Sequence, residues 1–151
     1  MSLLQVFEQA AEMERRLSDV YRRLSFFTPD ENLRTDLQRL AEEEVVHAKL
    51  IRDAKSYALM NPDLFSAEAI TDVKIRGVQL LIGELLADLD KSEVTLPDGL
   101  RRVFALEMHC ERLHLDALVK VSEPSLQKLF EALANDDKSH QDRLGRVISG
   151  L

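Results

Sequence analysis

The sequence predicts an all-α protein made of two helical hairpins joined by a long, partly helical crossover. Three observations carry that expectation. The 151 residues are 45% apolar and 31% charged, with five Gly, four Pro and few aromatics, a balance that suits packed helices. Apolar residues recur at alternating three and four spacing along four stretches, the pattern of helices packed nearly in line. The second half also repeats the first at an offset of 93 residues, which takes Glu14 to Glu107, Tyr21 to His114, Glu44 to Asp137 and His47 to His140. A repeated hairpin implies an approximate two-fold axis. The length fits one domain over residues 1–151 with a sizeable core.

The first stretch, residues 3–27, carries the stripe Leu3, Phe7, Ala10, Glu14, Leu17, Tyr21, Leu24. Its pairs Arg15-Arg16 and Arg22-Arg23 lie off that line and read as a solvated face. Thr28-Pro29-Asp30-Glu31 reads as a tight turn, with Thr28 capping, Pro29 at the first helical position and Glu31 closing a capping box. A second helix is then expected from Pro29 to Leu59, stopped by Asn61-Pro62, with the stripe Leu33, Leu37, Leu40, Glu44, His47, Ile51, Ala54. So short a turn makes the first two helices antiparallel neighbours.

Residues 60–95 form the crossover. Val78, Leu81, Ile82, Leu85, Leu86 and Leu89 predict a helix of three to five turns within it, while Gly77 and Gly83 blur its start. The second hairpin begins with Leu96, Leu100, Val103, Glu107, Cys110, His114, Ala117, Val121 over residues 96–121. After the turn at Ser122-Glu123-Pro124 it continues with Leu126, Phe130, Leu133, Asp137, His140, Leu144, Val147.

Composition narrows the function. A formal charge of −7 argues against nucleic acid as the main partner. The lone Cys110 makes neither an internal disulfide nor a cysteine metal site. The opening MSLLQVFEQAAEMERR lacks the basic start and apolar core of a signal peptide, and no apolar run reaches the roughly 20 residues of a membrane span. The expectation is a cytoplasmic protein without membrane contact.

Each stripe is broken by an acid, and three also by a histidine, His47, His114 or His140. Burying such groups costs several kcal/mol unless they are paired or bound to metal. Each acid stands 15 residues from its turn, about 22 Å along an antiparallel helix at 1.5 Å per residue, so all four fall at one height. Glu44 and His47, like Asp137 and His140, are three apart and share a helix face. Four ionised carboxylates in one apolar layer repel, and two divalent cations neutralise them. The expected ligands are therefore Glu14, Glu44, His47, Glu107, Asp137 and His140, with Glu44 and Asp137 bridging. Oxygen-rich ligation with one imidazole per metal suits iron or manganese. Tyr21, Cys110 and His114 are expected around the ligands, His114 either as a further ligand or as a hydrogen-bonding neighbour. Glu111 reads as solvated or as an auxiliary carboxylate, His109 as surface, and Met13 and Met108 as packing.

One acid from each of two helices and an acid-x-x-His from each of the other two is the arrangement of ferritin-like di-iron bundles. Over nearly its whole length the sequence resembles that superfamily, and within it the rubrerythrin-like domain, through Glu14 with Tyr21, LAEEEVVH at 40–47, Glu107, and NDDKSH at 135–140. The resemblance implies a four-helix bundle holding two iron ions that react with hydrogen peroxide or dioxygen, or that oxidise ferrous iron. It implies a peroxidase- or ferroxidase-type oxidoreductase. Iron storage, and a non-catalytic helical dimer with a degraded site, stand as alternatives. The sequence departs from the family at Asp137, where a Glu is usual, at Cys110, where rubrerythrins have a further Glu, and at His114, the counterpart of Tyr21. Without a rubredoxin-like cysteine quartet, a peroxidase cycle needs an external electron donor. A homodimer is expected.

Overall fold

The computed structural model describes residues 3–61 and 72–151. Five helices account for most of them: α1 (Leu3–Ser25), α2 (Glu31–Met60), α3 (Asp72–Asp90), α4 (Leu96–Lys120) and α5 (Pro124–Ser149). The chain is all-α, as its periodicity predicts. α1 packs along α2 and α4 along α5, the two expected hairpins, and these meet through α1 against α4 and α2 against α5. Pro62 and the rest of residues 62–71, part of the crossover, lie outside the described residues, as does the side chain of Leu3. Among the described residues no helix is long and apolar enough to cross a membrane.

The α2 start differs from the expected capping box. Asp30, not Thr28, is the N-cap: its carboxylate accepts from the backbone N–H of Asn32 and Leu33. Thr28 Oγ1 instead accepts from the Asp30 N–H, so the helix begins at Glu31, two residues beyond Pro29. A charged acceptor nearer the helix satisfies two free N–H groups and interacts with the positive helix end. Asp30→Ala is expected to cost about 1 kcal/mol in chemical denaturation. The second hairpin is capped by Glu123, which accepts from the Leu126 N–H, with Pro124 opening α5.

α3 runs through both glycines and lies across α1 and α4. Ile75, Ile82 and Leu85 are fully buried beneath it. Polar ties add to that burial: Arg16 donates to Gln79 Oε1 at 2.6 Å, Arg23 pairs with Asp90, and Arg102 with Asp88 at 2.7 Å. The paired arginines of α1 thus split their roles. Arg15 and Arg22 pair with acids on their own helix, whereas Arg16 and Arg23 fasten α3. A Cβ at Gly83 would stand 2.9 Å from Arg16 Nη2, so a bare backbone there admits the guanidinium.

The four stripes form the core. Phe7, Leu17 and Leu24 of α1, Leu37 and Ile51 of α2, Leu100 and Val103 of α4, and Phe130, Leu133 and Leu144 of α5 are all buried. At about 1.5–3 kcal/mol per large apolar side chain, this interior readily offsets one polar layer. That layer is the site.

Candidate metal centre

The chain places all six residues expected as ligands in the interior. Glu14, Glu44, Glu107 and Asp137 have no exposure, and His47 and His140 are 1% exposed. Apolar side chains seal the layer one helical turn away on either side: Ala10 and Leu17 on α1, Leu40 and Ile51 on α2, Val103 and Cys110 on α4, Leu133 and Leu144 on α5. Helical period and matched turn distances bring the acids to one level, as the duplicated spacing requires.

Three constellations occupy the layer, each with ligand atoms within 4.8 Å of one another: Glu14, Glu44 and His47; Glu44, Glu107 and His140; Glu14, His114 and Asp137. In the first, His47 Nδ1 lies 3.2 Å from Glu44 Oε2 and 3.8 Å from Glu14 Oε2. In the second, His140 Nδ1 lies 2.9 Å from Glu44 Oε1 and 3.1 Å from Glu107 Oε1. Glu44 thus serves two groups. The imidazoles of His47 and His140 stack, with centroids 5.6 Å apart and planes 15° from parallel.

Asp137 does not mirror Glu44. Its carboxylate meets His114 Nδ1 at 2.5 Å and belongs with Glu14, in neither group that holds His47 or His140. One methylene shorter than Glu, it falls back toward α4, where His114 stands in place of a tyrosine. Tyr21, the repeat counterpart of His114, donates to Glu107 Oε1 at 2.6 Å.

Sequence reasoning missed two acids outside the layer. His47 Nε2 lies 3.0 Å from Asp136 of α5, and His140 Nε2 lies 3.5 Å from Glu43 of α2. The pairing is crosswise: each hairpin supplies the acid that orients the other's imidazole. The signal was present, since Glu43 and Asp136 are themselves 93 apart and each precedes a layer acid. A carboxylate on the outer nitrogen fixes the tautomer and turns the inner nitrogen toward the layer. Asp136→Ala is expected to weaken cation binding by about 10–100-fold, measured by titration with Mn(II) or Fe(II).

The other singled-out residues sort by burial. Cys110 is wholly buried among these acids, which with burial push its thiol well above the usual range, leaving it a small neutral core group. Met13 is core, and Met108 is on the surface. Glu111 accepts from Gln141 Nε2 at 3.2 Å, outside the three constellations. His109 is half-buried beside α3.

Protons hold the metal-free layer together. Burial, with Glu107 and Glu14 beside it, raises the Glu44 carboxyl far above its ordinary value. Burial also works against charging Glu14, yet the facing Glu44, His114 and His47 hold it well below. His47 is pushed up to about 9 and His114 to about 10, their acidic partners outweighing burial. Asp137 is pushed up to about 7 by burial, against the pull of His114.

Many polar atoms of the layer have no hydrogen-bond partner. Among the described residues nine buried side-chain atoms have no hydrogen-bond partner, and eight of them belong to this layer: both oxygens of Glu14 and of Glu44, His47 Nδ1, Glu107 Oε2, His114 Nε2 and Asp137 Oδ1. Buried polar atoms are almost always paired, so one concentrated set of unpartnered carboxylate oxygens and imidazole nitrogens is a cradle for cations. The residues fit divalent metal. The class is thus an all-α protein whose buried carboxylate and imidazole groups can hold metal ions. No protein-family model matches the chain, and comparison with curated proteins and with solved structures finds no match.

Proposed function

We propose that this chain is a ferritin-like, rubrerythrin-type di-iron carboxylate protein, a single four-helix domain over residues 1–151 with α3 in its crossover. Its reaction is reduction of hydrogen peroxide or oxidation of ferrous iron, in oxidative-stress defence or iron metabolism. One observation carries the reading: Glu44, with neither carboxylate oxygen hydrogen-bonded, is shared by two imidazole-bearing groups. The two ions would be held by Glu14, Glu44 and His47, and by Glu44, Glu107 and His140, with Asp137 nearby. Bound iron supplies one-electron chemistry toward a small oxidant. Manganese accepts the same ligands.

The protein's own groups have definite tasks. Glu44 joins the two positions and neutralises charge at both. Asp136 and Glu43 hold His47 and His140 with their inner nitrogens facing the layer. Tyr21 keeps its phenol proton, since burial and the adjacent Glu107 and Glu44 raise its pKa, and donates it to Glu107 Oε1. The apolar turns above and below exclude bulk water.

A peroxidase cycle would draw electrons from an external donor, in a cytoplasmic homodimer. The test is anaerobic loading with Fe(II), addition of hydrogen peroxide, and comparison with Glu44→Ala. Oxidation faster than that of free iron, lost in the variant, is the expected result; a rate equal to free iron refutes the proposal. A second reading, a helical dimer with a depleted centre, is favoured by the capture of Asp137 by His114. Fewer than one metal per chain in protein purified without chelator would select it. Iron storage would instead need a particle far larger than a dimer, which sizing of the native protein detects.

A further inference from the structure

His114 offers more than a hydrogen bond to its neighbours. Glu14 of α1, His114 of α4 and Asp137 of α5 converge, each at most 1% exposed. His114 Nδ1 lies 2.5 Å from Asp137 Oδ2, and its Nε2 lies 3.2 Å from Glu14 Oε1. A neutral imidazole whose Nδ1–H donates to Asp137 presents its Nε2 lone pair to the Glu14 carboxylate. Two lone pairs facing each other in an apolar interior repel unless a proton or, in its place, a metal cation lies between them. Both Glu14 oxygens, His114 Nε2 and Asp137 Oδ1 lack hydrogen-bond partners.

Tyr21 shows what a purely structural residue does at the matching place. It gives its single proton to Glu107 and leaves no donor atom of its own unpaired. The histidine leaves one. Its tie to Asp137 also has the form of a carboxylate–histidine pair that orients a ligating imidazole.

We propose that Glu14, His114 and Asp137 form a third divalent-cation subsite, with His114 Nε2 as its nitrogen ligand and Glu14 joining it to the group of His47. The inference rests on the reading of the layer as a metal centre. Two oxygens and one imidazole suit first-row divalent ions from manganese to zinc over magnesium or calcium, which favour all-oxygen sites. The acid at 137 and the histidine at 114 then act as one pair, joined by the contact between Asp137 Oδ2 and His114 Nδ1.

Cobalt(II) is the probe. Wild-type crystals grown with cobalt(II) are measured at the cobalt absorption edge, and bound metal per chain is counted in solution for wild type and His114→Gln. An anomalous peak within bonding distance of His114 Nε2, with one cation fewer in the variant (about a third of capacity), is the expected result. Peaks at His47 and His140 with none at His114 overturn the third subsite and leave the metal centre standing. No cobalt anywhere in the layer overturns both. The crystal measurement uses the unaltered chain, so it decides the matter even where His114→Gln fails to fold.

Discussion

Glu44→Ala is expected to weaken divalent-cation binding by about 150- to 4000-fold, while Glu44→Gln raises the stability of the metal-free protein. The first effect follows from removing a buried charged partner, worth about 3–5 kcal/mol, from the one carboxylate shared by two imidazole-bearing groups. The second follows from crowding. Glu44 is wholly buried beside Glu14 and Glu107, and burial together with those neighbours raises its pKa. Without metal it must take up a proton to stay buried, which costs stability above its ordinary pKa, and a neutral isostere removes that cost. Thermal unfolding of both forms with chelator and with Mn(II) checks the pair of signs: higher melting for Glu44→Gln in chelator, and a smaller gain on adding metal. A residue kept only for packing would not show opposite signs in the two conditions.

The metal-free protein is expected to lose stability as pH rises from about 6.5 to 10, while metal affinity climbs across the lower part of the same range. His47 and His114 have folded values of about 9 and about 10 against an ordinary 6.5. A raised histidine contributes stability that is full below 6.5 and lost as pH passes the folded value. Asp137, raised from 3.8 to about 7, adds a loss between those limits, because the native state holds that proton more tightly than the unfolded chain. Glu14 works on the other side: its lowered value stabilises above 4.5 and the benefit fades on acidification. The optimum without metal therefore lies near pH 4.5, where Glu14 is fully ionised and the losses through Asp137 and Glu44 have barely begun. Each histidine contributes on the order of a few kcal/mol. Cations need those sites deprotonated, so metal uptake near pH 7 releases protons from His47, His140 and Glu44. Denaturation from pH 5 to 10 with chelator, beside proton release on adding Mn(II) in weak buffer, tests both. Flat stability from pH 6.5 to 10 would mean that the imidazoles are not bridging carboxylates as described.

The duplicated pattern was informative because it constrained position three times over. Period placed Glu14, Glu44, Glu107 and Asp137 on buried faces, equal distance from the turns placed them at one height, and the 93-residue offset paired them. Local start signals were less reliable. Thr28 and Asp30 are both good caps two residues apart, and only the backbone path shows that Asp30 reaches the free N–H groups.

The sequence by itself determined that the helices are α1 to α5, that four of them bury an interrupted apolar stripe, and that the interruptions meet. Side-chain period and chain length fix those outcomes without reference to partners. Only the tertiary structure decided that Asp137 turns to His114 instead of mirroring Glu44, and that Glu43 and Asp136 cross between hairpins to hold the imidazoles. Those choices depend on differences of one methylene and on which neighbour faces across the helix interface. Such distances exist only once the two hairpins have packed.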